Sequence, residues 1–212
     1  MKELYIIGAG GFGREVAWLV EQINEVEPQW KVMGFLDDNQ EVHGSTVGGF
    51  PVIGDCSFLQ SVKHEAWAVC AVGAAKARKR IVEKLSDYGN VNFATLIAPD
   101  VKKSSRVSIG EGTVICSGTI ITVDVLIGKH CSINLNCTIG HDCVIQDFVT
   151  MYPNANVSGS CEIGECVELG TGCQIIQGKR IVPNTIVGAG AVVTKDLEKS
   201  GTYVGVPTRR IR

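Results

Sequence analysis

A histidine and an aspartate stand side by side at His141 and Asp142, inside "TIGHDCVI", a tract otherwise built from small and aliphatic residues. Imidazole has an unperturbed pKa of about 6.5, so a histidine with no other work can take a proton from an attacking amine or hydroxyl at neutral pH. A neighbouring carboxylate can orient the ring or tune its basicity. Aspartate is one methylene shorter than glutamate, which leaves the reach of Asp142 to the ring open.

The amino-terminal stretch "LYIIGAGGFGREVAWLVEQI" carries a second candidate, the GxGxxG formed by Gly8, Gly10 and Gly13, with Gly11 inside it. Glycines there permit a tight turn and let N–H groups at a helix N-terminus approach a phosphate. Asp37 and Asp38 end the next strand, "KVMGFLDD". They lie about twenty residues beyond the turn, where a carboxylate can hold ribose hydroxyls. Gly73, closing "AWAVCAVG", joins the expected substrate-binding set. These residues alone leave three readings open: a redox dinucleotide, a nucleotide-linked substrate, or a glycine turn that binds nothing.

Composition narrows the class. A chain of 212 residues with 45% hydrophobic content can bury a core and form one or two domains. A net charge of −2, no basic run and 6% aromatic content argue against a nucleic-acid surface. The apolar run in "MKELYIIGAG" is too short for a secretory core or a membrane span, so the expected location is cytoplasmic. Nine cysteines without a CxxC pair fit reduced thiols better than a disulfide framework or a zinc ribbon.

The elements that must position these groups differ between the two halves. In the first, strands at "LYIIG", "KVMGFLDD", "FPVIGD", "AWAVCAVG" and "VNFATLI" alternate with an amphipathic helix after the glycine turn and another over Lys76 to Tyr88. That pattern predicts a small parallel α/β domain over residues 1–95, too short for a full two-unit Rossmann domain. In the second, every sixth residue from Ile109 to Val193 is aliphatic or Met. The following residue is often glycine, as at Gly110, Gly128 and Gly140, where a turn at positive φ is expected. Two residues before each aliphatic stands a small side chain, five times a cysteine (Cys131, Cys137, Cys143, Cys161 and Cys173), read as a compact inward hydrophobe. A six-residue period implies a parallel β-helix over residues 96–212, three hexapeptides to a coil, with a short C-terminal tail. His141 then falls on an outward corner. Gly159, one coil later, should stack directly over it. Lys179 occupies an inward slot, so Gly178, Lys179 and Arg180 are expected to bulge outward.

On "IIGAGGFGREV", "GFLDD", "FPVIGD", the hexapeptide array with "IGHDCVI", and "YVGVPTRRI", the sequence resembles the left-handed β-helix sugar acyltransferases that carry a nucleotide-binding domain. These are the sialic-acid O-acetyltransferase-like proteins and the bacterial UDP- or dTDP-4-amino-sugar N-acetyltransferases. The resemblance implies left-handedness, a homotrimer, acetyl-CoA as co-substrate and a nucleotide-sugar acceptor, with no metal. It implies that His141 is the catalytic base, tuned by Asp142, and that Asn134 contacts the acceptor sugar. Thr150 replaces a second histidine that several relatives hold near the acetyl group, and is placed with the cofactor contacts, as are Gly159, whose N–H would point at the thioester carbonyl, and Lys179 and Arg180, which would meet coenzyme A phosphates. O-acetylation of sialic acid or another sugar, and a non-enzymatic binding module, stay open as alternatives. A metal-dependent hydratase of the γ-carbonic anhydrase kind is disfavoured, since only His130 and His141 lie in the repeat.

Overall fold

The apolar run after Lys2 is buried on both sides. In the computed structural model, which describes residues 1–212, it forms β1 (Lys2–Ile7), an inner strand of a six-stranded sheet. β2 (Trp30–Leu36) and β5 (Ala66–Cys70) pair with it in parallel on either side. β4 (Phe50–Gly54) and β6 (Val91–Phe93) extend the sheet, and β3 (Thr46–Val47) joins β4 by an antiparallel hairpin that strand patterning did not predict. The order β3-β4-β2-β1-β5-β6 reverses direction between β1 and β5, so their carboxyl ends flank a switch point, the usual place for a ligand. Helix α1 (Gly11–Val26) follows β1, the single turn α2 (Phe58–Ser61) follows β4, and α3 (Ala75–Ser86) follows β5. The stretch "VNFATLI", expected as one strand, is split between domains: Val91–Phe93 completes the sheet and Leu96–Ile97 starts the second half.

From there the chain winds as a parallel β-helix of two-residue strands, each paired with the strand eighteen residues on, as in Thr138↔Asn156 and Ile139↔Val157. The first face holds Leu96–Ile97, Val114–Ile115, Ser132–Ile133, Thr150–Met151 and their successors. The second holds Ile120–Ile121, Thr138–Ile139 and Asn156–Val157, and the third Leu126–Ile127, Val144–Ile145 and Glu162–Ile163, with their neighbours. The second residue of each pair points inward and makes the core, which follows from the alternation of side chains along a strand.

Two details differ from the sequence reading. Every sixth residue from Gly112 to Gly190 has φ between 52° and 76°, and these corner residues include Asp124, His130, Asn136, Asp142 and Asn154. The glycines after the aliphatics, expected there, do not have positive φ. They stand where two coils nearly touch: a Cβ on Gly140 would lie 2.5 Å from Gly159 N, and one on Gly110 2.5 Å from the Gly128 carbonyl carbon. The inward thiols are also more than apolar filler. Cys131, Cys137, Cys143 and Cys161 donate to the carbonyls of Gln146, Tyr152, Ser158 and Ile176 at 3.1–3.3 Å. Thr113 and Thr119 make the same bond with their hydroxyls, which explains why the slot accepts either residue.

The α/β domain covers the first face alone. The outward residues Leu96, Val114, Ser132 and Thr150 are at most 2% exposed, against 42% for Ile120 and 53% for Leu126 on the other faces. The corner residues His130 and Phe148 stack at 5.2 Å, and Phe93 meets the imidazole edge at 4.7 Å. Burial drags the His130 pKa down from 6.5 to about 4, with Glu111 pulling the other way and Arg78 and Lys129 adding to the fall. The unfolded chain therefore takes up this proton more readily than the folded one between those values. The stability from neutral His130 is full above pH 6.5 and drains as pH falls toward 4. Melting temperature measured over that interval is expected to fall more steeply for the native protein than for His130→Asn, whose side chain tolerates the left-handed corner and cannot titrate.

Candidate active site

His141 lies on the edge between the second and third faces, opposite the face that the α/β domain covers. Ile139 points inward, Gly140 fits under Gly159, and the next side chain must turn out, leaving His141 62% exposed. Asp142 is the left-handed corner residue of that coil, with φ of 59°. Its Oδ2 lies 2.7 Å from His141 Nδ1, so the short side chain does reach the ring. An ionised carboxylate only accepts, so Nδ1 carries the hydrogen and Nε2 of the neutral ring keeps its lone pair. Both groups are exposed, so the pair adds little stability; it fixes tautomer and orientation.

Gly159 stacks on this ring: a Cβ there would lie 2.5 Å from Nε2. Its amide donates to no acceptor in the chain. Further along the same edge, Gly178 N donates to Gly159 O at 2.9 Å, and Glu162↔Arg180 pair in unbroken register. The bulge expected at Gly178–Arg180 is therefore absent. Lys179 is half-buried in the regular slot, while Arg180 is exposed and faces Glu162 at 3.4 Å, about 10 Å along the axis from the coil of His141. Open grooves of about 340 and 570 Å³ flank the His141 edge, the first lined by Ile120, Thr138 and Ser158, the second by Leu126, Val144 and Gln146.

Two other expected site residues lie elsewhere. Thr150 is 2% exposed under the α/β domain, where its hydroxyl donates to Gly73 O and accepts from Arg78, so it has no surface for a coenzyme. Asn134 sits on the edge between the first and second faces, and its Oδ1 accepts from Leu135 N at 2.7 Å. Within one chain it does not share an edge with His141.

In the α/β domain, Gly13 lies against Gly8 O with no room for a side chain, while Gly10 and Gly11 face open space. Gly10 caps α1 without a side-chain hydrogen bond, which leaves the first N–H groups of that helix free. Asp37 braces the loop, Oδ2 accepting from Ala9 N at 2.8 Å and Oδ1 from Asn39 N at 2.9 Å, and Asp38 is exposed beside it. A cleft of about 140 Å³ joins Gly8, Asp37, Asp38 and Val72 at the switch point; Gly73 follows Val72 but faces the Tyr152 ring and does not line the cleft.

Sequence reasoning missed Arg78, Tyr152 and Glu168, which tie this loop cluster to the β-helix. The signal for Arg78 was its spacing: it falls on the same stripe of α3 as the buried Ala75, Val82 and Leu85, within what reads as a solvated basic helix.

Residues 3–85 match the PglD N-terminal domain family. The chain is 32% identical over 188 residues to the GDP-perosamine N-acetyltransferase of Escherichia coli O157:H7, covering 87% of this chain and 82% of that protein. The chain belongs to the PglD-like hexapeptide-repeat sugar N-acetyltransferases. A solved histidine-to-asparagine mutant of perosamine N-acetyltransferase from Caulobacter crescentus, in complex with CoA and GDP-perosamine, superposes with a TM-score of 0.92 at 28% identity, covering 100% of this chain and 98% of that one. The acetyltransferase domain of PglB from Neisseria gonorrhoeae FA1090, in complex with acetyl coenzyme A, gives 0.89 at 30% identity over 99% of each chain. No helix is long and apolar enough to cross a membrane.

The stacking of Gly159 on His141 yields a test. A methyl group there must displace the imidazole by about its own size, and misplacing a catalytic group by about 1 Å can cost roughly 10²-fold. Gly159→Ala is expected to lower turnover by about that factor while circular dichroism still shows a folded β-helix.

Proposed function

We propose that the enzyme transfers acetyl from acetyl-CoA to the amine of a nucleoside-diphosphate-linked 4-amino sugar, with His141 as general base. The observation that carries this reading is the oriented His141–Asp142 pair, Nδ1 tied at 2.7 Å and Nε2 free, under an unpaired Gly159 amide. The sugar ammonium first loses its proton to His141 Nε2. The amine lone pair then attacks the thioester carbonyl, and Gly159 N–H donates to the oxyanion that forms. Collapse breaks the C–S bond, the protonated His141 returns its proton to the departing thiolate, and the nitrogen gives up its remaining extra proton to solvent, leaving an amide, free coenzyme A and one released proton.

The acceptor belongs to the α/β domain. The free N-terminus of α1 suits a diphosphate, whereas the N-terminus of α3 already holds a carboxylate, Ala75 N donating to Glu168 Oε1 at 3.0 Å. Asp37 and Asp38 line the cleft with Gly8, at the start of the loop that leads into α1, and serve the ribose or base. A uridine or thymidine base is the expectation from sequence, while relatives include enzymes named for GDP-perosamine, so all three bases belong in the test. Because His141 lies on the edge opposite the covered face, an amine held by one α/β domain meets the histidine of another copy. A homotrimer, with the exposed Ile120, Leu126 and Val144 turned toward its neighbours, supplies that meeting.

Thiol release from acetyl-CoA should follow addition of a UDP-, dTDP- or GDP-linked 4-amino sugar and should not follow NAD. His141→Ala is expected to lower turnover by about 10²–10⁴-fold and to abolish its rise with pH, with oligomeric state and melting temperature nearly unchanged. Asp142→Asn should cost less, since it disturbs the base without removing it. Retention of most activity by folded His141→Ala at saturating substrates would end the catalytic assignment.

A further inference from the structure

Arg78, on α3, is 1% exposed and has no carboxylate partner for its guanidinium. Its donors run instead to the carbonyls of two domains. Nε donates to His130 O at 2.8 Å, Nη1 to Val72 O at 2.7 Å and Gly73 O at 3.1 Å, and Nη2 to Phe148 O, Val149 O and Thr150 Oγ1 at 2.9–3.2 Å. Thr150 then donates its own hydroxyl to Gly73 O at 2.7 Å. Two residues on, Ala75 N is held by Glu168, whose other oxygen accepts from Tyr152 Oη at 3.2 Å.

Four of these bonds end on one short turn, Val72 to Ala75, which leaves β5 at the switch point: Arg78 Nη1 to Val72 O and Gly73 O, Thr150 Oγ1 to Gly73 O, and Ala75 N to Glu168 Oε1. Val72 lines the cleft with Gly8, Asp37 and Asp38, and a Cβ on Gly8 would already lie 3.1 Å from Ala71 O. The far wall of the acceptor cleft is thus fixed from behind by the β-helix. We propose that Arg78 and Thr150 are positioning residues for the acceptor nucleotide sugar: they set the distance between the Val72–Gly73 turn and the glycine loop, and so the fit of the nucleotide. This rests on the function proposed above. A scaffold that merely glued the domains together would have no reason to concentrate its hydrogen bonds on the one loop that borders the cleft.

Arg78→Ala would leave the carbonyls of Val72, His130 and Phe148 without this donor in the interior and is expected to unfold the junction, so it cannot separate the two roles. Thr150→Val keeps the shape and removes the hydroxyl bonds. It is expected to raise the KM and Kd for the nucleotide sugar by about tenfold, as for loss of one buried hydrogen bond, with kcat and the KM for acetyl-CoA unchanged. Thr150→Ser should restore the native values. Should Thr150→Val fail to fold, Glu168→Gln, which weakens the hold on Ala75 N, is expected to give the same split between the two substrates. Unchanged nucleotide-sugar constants in a folded variant, or equal losses for both substrates, would overturn the positioning role while leaving the proposed function intact. A native protein that neither binds nor acetylates any nucleotide amino sugar would overturn both.

Discussion

The structure depends on one backbone constraint: each corner of the β-helix needs a residue at positive φ, once every six positions. L-residues resist that conformation, and glycine, asparagine and aspartate resist it least. The chain meets the requirement with Gly112, Gly118, Asp124, Asn136, Asn154 and Gly172 among others, and at one corner with Asp142. There the structural need and the chemistry coincide. The backbone turn that closes the coil also swings the carboxylate back onto the preceding His141, so the orientation of the imidazole is a by-product of turning the corner.

The corners that bear His130 and Phe148 show the other use of the same geometry. Both are large, both are buried, and both meet the α/β domain, so a position normally held by small polar residues here builds an interface. The absence of a side chain at Gly112 makes room for the His130 ring. Arg78 then completes the junction with donors aimed at the β-helix carbonyls of His130, Phe148 and Val149 along that edge. Domain docking is thus polar at its centre and aromatic at its rim, and the cleft at the switch point between β1 and β5 lies directly against it.

Much of this was legible in the sequence because periodicity is a property of the chain. The six-residue step located the core, the outward corner at His141 and the stacking of Gly159 without any coordinates. What could not be read was the reason behind some of the residues. Gly140 and Gly110 were the right residue types for a different cause, since close approach of successive coils cannot be told from turn geometry in one dimension. Thr150 looked like a site residue because its separation from His141 matched a family pattern, yet the α/β domain covers its face. Arg78 was hidden because a buried guanidinium bonded mainly to carbonyls leaves no acidic partner in the sequence to betray it.

The buried thiols carry a last consequence. All nine cysteines are free and buried, and burial pushes Cys70, Cys116, Cys131, Cys137 and Cys173 up to about 12. A thiol that stays protonated and out of reach can be alkylated only when the coil around it opens. The β-helix therefore carries a reporter in most of its coils, and the order in which those sulfurs become reactive under mild denaturation records which rungs of the solenoid fray first.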